Sequence, residues 1–176
     1  MVMKRCLIVL LILLGSALQA MSQDHLCFLG QPITGNMKDF VAQMESKGLT
    51  KGYSKGWFKG MRTKYLKGTF WRFPDCDIVV RGPKNMKDAT SVYVHPHSNF
   101  LLLDDLVQSL DERYGAHDIR YSNADINAMN YVWSVPEGSI VIYASTTYGQ
   151  VFDIVYRDHV EVKLLSISAN MINDDL

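Results

Sequence analysis

The sequence has only three cysteines, no net charge and a single long hydrophobic run. That run, residues 6–14, follows the basic residues Lys4 and Arg5 and precedes the small residues Ala17 and Ala20. It is shorter than the ~20 residues that a membrane-spanning helix needs, and this order is typical of a secretory signal peptide. We therefore expect residues 1–20 to be a signal peptide, cleaved after Ala17 or Ala20. We expect the mature chain to be a soluble periplasmic or extracellular protein without a transmembrane segment.

Removal of the leader would leave a chain of about 156 residues, enough for one domain with a hydrophobic core. The zero net charge conceals an asymmetry, because residues 21–97 hold 12 Lys/Arg and 6 Asp/Glu, whereas residues 98–176 hold 4 and 12. In one interpretation, the two halves of the chain attract each other across their interface or form different solvated faces. Alternatively, one basic face binds an anionic partner.

The mature chain keeps two of the three cysteines, Cys27 and Cys76. Two cysteines without other thiol partners in an oxidising compartment favour a disulfide. Closing a loop of this length would stabilise the fold by ~4 kcal/mol in the chain-entropy model. The alternative is one buried thiol and one surface thiol, and the sequence leaves both open.

Two segments, residues 37–48 and 98–115, place apolar residues at helical spacing and end on glycine. Between and after them, short apolar segments bounded by Pro, Gly and Asp predict strands, with a polar linker at 116–128. The predicted strands span residues 65–73, 77–81, 90–95, 130–135, 139–145, 151–157 and 160–168.

The segments WRFPDCDIVV (71–80) and WSVPEGSIVI (133–142) share one pattern. An offset of 62 residues aligns their tryptophans, Trp71 and Trp133, and the helices need an offset of 66. One helix with three strands has too little apolar face to fold alone, whereas two copies can share a core. We therefore predict an α+β fold: a tandem repeat of a helix plus antiparallel strands (about 28–97 and 98–168) in a single domain (21–176). We expect a two-layer sheet with helices on one face and both tryptophans as core anchors.

A run of lysines, glycines and aromatic residues, KGYSKGWFKGMRTKYLKG (51–68), is the main candidate for a binding surface. Basic residues interleaved with aromatic ones suit single-stranded nucleic acid, but export favours an anionic glycan or an acidic protein surface, and no nucleic acid is expected. The alternative is a solvated loop whose aromatic residues cover the core. The candidate binding residues are Lys51, Tyr53, Lys55, Trp57, Lys59 and Lys64.

The sequence HPH places His95 and His97 where they can share a metal ion at a strand end. Asp104, Asp105 and His117 are the available further ligands, although no C-x-x-C or H-E-x-x-H motif supports them. The alternative is a polar connector kept extended by its proline. The segment GYSKG (52–56) matches the nucleophile motif G-x-S-x-G, but it lacks the buried strand and helix that the motif requires.

Several short motifs lie along the chain: FLGQPITGNMKDFVAQMESKG (28–48), LKGTFWRFPDCDIVV (66–80), LDERYG (110–115) and GSIVIY (138–143), together with the final DDL. Together these segments resemble an uncharacterised family of small secreted proteins from Bacteroidetes. That family begins with F-x-G-x-P-I-x-G and a helix ending K-G-F or similar, but Leu49 stands where it usually has an aromatic residue. The resemblance implies export and a two-layer α+β fold, and the tandem arrangement is similar to the β-lactamase-inhibitor-protein-like architecture. No activity is established for the family, so it assigns no site residues.

These observations favour an exported, non-catalytic binding module that uses no cofactor and whose partner is a protein or an anionic glycan. One alternative is a small metal-dependent hydrolase using His95 and His97. Another is an accessory protein of envelope assembly. The sequence leaves the partner and the oligomeric state open.

Overall fold

The computed structural model describes residues 25–53, 61–97, 100–121, 128–145 and 151–174, with the backbone alone for Phe100 and residues 167–174. These residues form three α-helices, ten strands and a 3₁₀ turn at Phe100–Leu102. None of the described helices is long and apolar enough to span a membrane. In chain order the elements are β1 (Cys27–Phe28), β2 (Gln31–Pro32), α1 (Met37–Ser46), β3 (Thr50–Lys51), β4 (Met61–Phe70), β5 (Phe73–Pro83), β6 (Ser91–Pro96), α2 (Leu103–Tyr114), β7 (Asp118–Tyr121), β8 (Ala128–Val135), β9 (Gly138–Ser145), β10 (Val151–Asp158) and α3 (His159–Asp174).

Eight of the strands form one antiparallel sheet in the order β3-β4-β5-β6-β10-β9-β8-β7, and β1 pairs with β2 in a separate hairpin. Strands β6 and β10 join at the centre, where Tyr93 lies opposite Val155. The α+β class is therefore confirmed.

The main hydrophobic core lies between one face of this sheet and the helices α1 and α2. Side chains alternate between the faces of a strand, and in β5 those of Ile78 and Val80 belong to the core. Helix α1 begins at its cap Asn36, whose side-chain oxygen accepts a hydrogen bond from the Lys38 amide. The helices bury their apolar stripes against the sheet through Met37, Phe40 and Met44 of α1 and Leu103, Leu106, Val107 and Leu110 of α2.

Helix α3 begins on the opposite face, so the prediction that all helices lie on one face is wrong for its first turn. Arg81 alternates with the core residue Val80 and therefore points away from α1 and α2. Its guanidinium donates to Glu161 of α3 at 2.9 Å, and the other carboxylate oxygen accepts from the Thr90 hydroxyl at 2.7 Å.

The predicted strand at 160–168 is also wrong, because this segment lies within α3. Asp158 caps the helix: its Oδ1 accepts a hydrogen bond from the Val160 amide at 3.0 Å. Conversely, the predicted linker at 116–128 contains the edge strand β7.

The two tryptophans do not occupy equivalent positions. Trp133 lies within β8, is 1% exposed and pairs across the sheet with Ile140. Trp71 lies in the turn between β4 and β5, is partly buried and has a φ of 50°. The residue paired with Ile78, which the offset of 62 aligns with Ile140, is Leu66. Trp133 is therefore a core residue, as predicted. The Trp-x-x-Pro alignment, however, matches Trp71 in a turn with Trp133 in a strand.

Candidate functional site

A groove between α1 and β4 has a volume of about 540 Å³. Its first wall is a stripe of α1, in which Lys38, Val41 and Glu45 flank the buried face of the helix. The rest of the lining comes from the start of the lysine-glycine run and from β4. We call this site the α1–β4 groove, and these further lining residues are Lys51, Gly52, Thr63, Lys64, Tyr65 and Leu66.

Close backbone packing fixes the lower edge of the groove. The Gly52 amide donates to the Tyr65 carbonyl at 2.9 Å. A Cβ atom at Gly52 would lie 3.1 Å from the Leu66 backbone, closer than ordinary van der Waals contact. Glycine at this position therefore lets the chain after β3 lie close to the backbone of β4.

The groove combines an apolar floor with a positive rim. Leu66 is buried and Val41 is partly buried, whereas Lys38, Lys51 and Lys64 are exposed. Within the described part of the chain, none of these three lysines forms an ion pair. Glu45 supplies a carboxylate to the same wall. The arrangement suits an anionic ligand that has an apolar face and hydroxyl groups.

The sequence predicted part of this site. Lys51 and Lys64 line the groove as candidate binding residues, but Tyr53 lies outside it with 87% of its surface exposed. Lys55, Trp57 and Lys59 fall outside the described residues. Sequence reasoning missed Lys38 and Glu45, whose only signal is their position on α1 beside its buried stripe.

The predicted metal ligands His95 and His97 lie together on the opposite face of the sheet, with ring centroids 5.2 Å apart. Nδ1 of His95 lies 2.6 Å from Oδ1 of Asp153, and Nε2 of His97 lies 3.0 Å from Oδ2 of Asp77. Lys67 also pairs with Asp77, at 3.7 Å. These contacts form a row of polar and charged side chains across β4, β5, β6 and β10. In this row His95 contacts Asp153 and His97 contacts Asp77, so the two histidines approach different carboxylates.

The further ligands proposed for these histidines lie elsewhere. Asp105 forms an exposed ion pair with Arg72 at 2.6 Å. Nδ1 of His117 lies 2.9 Å from Oδ1 of Asp111. Among the described residues, the group of three close metal-ligating side chains consists instead of His25, Asp158 and His159, which sequence reasoning missed.

Cys27 and Cys76 are both free thiols in the structure. Sγ of Cys27 lies 3.8 Å from the His25 carbonyl and is partly exposed. The Cys76 thiol is buried and donates to the Phe73 carbonyl at 3.6 Å. Burial raises the pKa of Cys76 to about 11, so its reactive thiolate form is scarce at neutral pH.

A smaller cavity of about 180 Å³ lies beside Cys27, under the C-terminal end of α2. Leu29 and Trp71 both line it, and both have left-handed backbone, with φ values of 48° and 50°. Such strain in residues other than glycine often accompanies functional sites. The cavity is nevertheless smaller than the roughly 300–1,000 Å³ of typical ligand pockets, and the α1–β4 groove is the stronger candidate.

No protein-family model, curated protein or solved structure matched the chain.

Proposed function

We propose that this protein is an exported, non-catalytic binding module that holds an anionic glycan in the α1–β4 groove. The observation that carries the proposal is the set of three lysines, Lys38, Lys51 and Lys64, around one concave site without carboxylate partners among the described residues. Such a rim attracts a polyanion electrostatically, and salt weakens this attraction by screening the charges.

Three features favour a glycan over an acidic protein surface. The groove is concave and has the volume of a small-molecule site, whereas protein interfaces are typically broader. Val41, which is partly exposed, offers apolar contact to the C–H face of a sugar ring. Glu45 can accept hydrogen bonds from sugar hydroxyls.

Binding of an acidic polysaccharide fragment tests this proposal. With oligogalacturonate as the probe, titration calorimetry at low and moderate salt should give an affinity that falls as salt rises. The triple variant Lys38→Gln, Lys51→Gln, Lys64→Gln should bind at least ~10-fold more weakly, the loss expected when about 1.4 kcal/mol of attraction is removed.

The matched control changes the same net charge elsewhere. Lys47, Lys84 and Lys87 are exposed lysines that do not line the groove. Replacing all three with Gln should leave the affinity within about twofold, because the control sites are outside the groove and screened by salt. An equal loss of affinity in both triple variants would mean that binding depends on net charge and not on the groove. Unchanged affinity in the groove variant would contradict the proposed site.

We also infer that the domain is an internal repeat, in which a helix followed by four strands occurs twice. The sheet order supports this, because β3-β4-β5-β6 is followed by β10-β9-β8-β7. At the centre, Tyr93 pairs with Val155, which the sequence offset of 62 makes its counterpart. The buried residues Met37, Phe40 and Met44 of α1 correspond to Leu103, Leu106 and Leu110 of α2 at an offset of 66.

A crystal structure tests the repeat through its symmetry. One rotation close to a half-turn should superimpose residues 37–46, 76–83 and 91–96 on residues 103–112, 138–145 and 153–158. If the helices and the strands needed different rotations, the halves would share an order of elements without being a repeat.

The hydrolase that uses His95 and His97, and the role in envelope assembly, stay predictions from the sequence. No contact among the described residues favours either of them over glycan binding.

A further inference from the structure

We propose that His25, Asp158 and His159 form a binding site for a divalent transition-metal cation. The three residues come from opposite ends of the described chain: His25 precedes β1, and the other two lie where β10 passes into α3. One ligand atom from each lies within 4.8 Å of the others. The site is separate from the α1–β4 groove and does not depend on the function proposed for it.

The carboxylate at the centre of this cluster is fixed in place. Asp158 is 1% exposed. Its Oδ2 accepts a hydrogen bond from the Leu26 amide at 3.2 Å, and its Oδ1 accepts one from the Val160 amide at 3.0 Å. These bonds orient the carboxylate, and each oxygen keeps a further lone pair for a ligand.

The two imidazoles approach different oxygens of this carboxylate. Nδ1 of His25 lies 2.9 Å from Oδ2, and Nδ1 of His159 lies 3.1 Å from Oδ1. Their ring centroids are 5.0 Å apart. In a tetrahedral zinc shell, with bonds of 2.0–2.1 Å, neighbouring ligand atoms lie about 3.3 Å apart. The two imidazole–carboxylate distances are close to this value, and the ligand atoms of the two imidazoles, within 4.8 Å of each other, would have to approach more closely to share an ion.

One nitrogen of the cluster is without a hydrogen bond. Nδ1 of His159 is buried and forms none with any described residue, although Oδ1 of Asp158 is close by. When this nitrogen carries no proton, its lone pair faces a lone pair of the carboxylate, which is unfavourable in a site shielded from water. A cation between the two atoms removes that repulsion and satisfies both.

The ligand set selects the class of metal. Two imidazole nitrogens with one carboxylate suit zinc, nickel or copper, whereas calcium and magnesium prefer a shell of oxygen atoms. A metal at Nδ1 of His25 requires the lone pair of that nitrogen, so the neutral ring would carry its proton on Nε2. An open pocket of about 410 Å³ adjoins the site, lined by His25, Cys27, Arg113 and Glu137 among others, and water from it can complete the shell.

A metal here would join the segment before β1 to the start of α3. His25 and Asp158 are 133 residues apart in the chain. Because the ligands are assembled only in the folded protein, the ion should bind the native state preferentially and raise its melting temperature.

Titration with zinc chloride, after stripping the purified protein with a chelator and removing the chelator, tests the site. Calorimetry should detect one zinc per chain, cobalt should give the visible absorption bands of a tetrahedral site, and the melting temperature should rise with zinc. His25→Gln and His159→Gln should each weaken zinc binding at least ~10-fold. Loss of a residue that only supports a ligand already costs about 10–100-fold in metal affinity, and loss of the ligand itself should cost at least as much. Circular dichroism without metal checks that each variant remains folded.

The control is the double variant His95→Gln, His97→Gln, which alters the other pair of neighbouring histidines. It should keep wild-type zinc affinity. The proposal is overturned if the wild-type protein binds no zinc at 100-fold molar excess, or if the control loses binding while His25→Gln and His159→Gln retain it.

Discussion

At the scale of single residues, Asp111 organises the contact between α2 and β8. Its Oδ1 accepts a hydrogen bond from the Trp133 indole at 3.0 Å and lies 2.9 Å from Nδ1 of His117. The His117 ring in turn lies 5.3 Å from that of Trp133. A helix carboxylate thus satisfies the polar atom of the largest fully buried side chain, which lets a tryptophan occupy the core.

We expect Trp133→Ala to lower the free energy of unfolding by ~3–5 kcal/mol, because it leaves a large cavity in the core. Trp71→Ala should cost less than half as much, since Trp71 lies partly exposed in a turn with a strained backbone. Urea unfolding of the two variants measures the difference. Equal losses would contradict the distinct positions of the two tryptophans.

The pKa of Asp111 predicts how this contact responds to acid. Burial alone would raise it, but the hydrogen bonds from His117 and Trp133 outweigh burial and hold the pKa below its ordinary value. A carboxylate whose pKa is lowered by folding stabilises the protein above its unfolded pKa of about 3.9 and loses that effect as pH falls through the folded pKa. Asp111→Asn should therefore be less stable than wild type at pH 6, and the gap should narrow below pH 4. A gap that stays constant down to pH 3 would contradict the ionised contact.

The two thiols should differ in reactivity because Cys76 is buried with a raised pKa and Cys27 is partly exposed. With Cys6 replaced by Ala, we expect a disulfide-exchange reagent to titrate one thiol in the native protein and two in denaturant. Cys27→Ser should abolish the native signal. Finding no thiol in unreduced, denatured protein would instead establish the Cys27–Cys76 disulfide.

At the scale of elements, helices α1 and α2 were predictable from the sequence, because their apolar residues recur at helical spacing and are the ones buried. The start of α3 was not recognised, since Val160 and Val162 alternate with polar residues as in a strand. The available signal was Asp158, a residue type that favours helix caps. The Trp-x-x-Pro pattern does not mark one local structure, because Trp133 lies in a strand and Trp71 in a turn.

The candidate sites depended on contacts that no local pattern encodes. Lys51 and Lys64 were found through their lysine-glycine context, whereas Lys38 reaches the same groove only because α1 packs beside β4. His25 and Asp158 have no sequence relationship at a separation of 133 residues. Their proximity follows from the path of β1 past the end of β10.

The connection between β5 and β6 crosses Gly82 closely enough to exclude a side chain. A Cβ atom there would lie 2.1 Å from the carbonyl oxygen of Asp88. The same crossing segment holds the start of α1, since the Met37 amide donates to the Lys87 carbonyl at 2.9 Å and the Ala89 amide donates to the Gly35 carbonyl at 3.0 Å.

We therefore expect Gly82→Ala to destabilise the protein by ~1–3 kcal/mol, the usual cost of overpacking, and to increase hydrogen exchange at the first turn of α1. Gly30→Ala is the comparison, because its added Cβ meets no atom within 4 Å and only its left-handed backbone is strained. That variant should leave exchange in α1 unchanged. If Gly82→Ala had the stability of the wild type, the segment around Asp88 could move to accommodate the methyl group, which would contradict this prediction.

At the scale of the whole molecule, the opposite charges of residues 21–97 and 98–176 meet in specific ion pairs. Arg72 pairs with Asp105 on the surface, with side chains 57% and 54% exposed. Arg81 pairs with Glu161 under the start of α3, with side chains only 13% and 5% exposed. The charge asymmetry seen in the sequence therefore acts at least partly between the two halves, while Lys38, Lys51 and Lys64 stay available at the groove.

These two pairs connect the same halves at different depths, so they separate the effect of burial from that of charge. Removing one partner of a buried pair leaves an uncompensated charge and costs ~3–5 kcal/mol, whereas an exposed pair contributes ~0–1 kcal/mol. Glu161→Ala should thus be strongly destabilising, also because the Thr90 hydroxyl loses its acceptor. Asp105→Ala should be nearly neutral.

Double-mutant cycles on the two pairs measure the coupling directly. We expect the Arg81–Glu161 coupling to exceed the Arg72–Asp105 coupling and to persist in 1 M salt, because the surrounding protein shields the buried pair from screening. Equal couplings, both abolished by salt, would mean that water reaches Glu161 and that α3 is held to the sheet by apolar contacts alone.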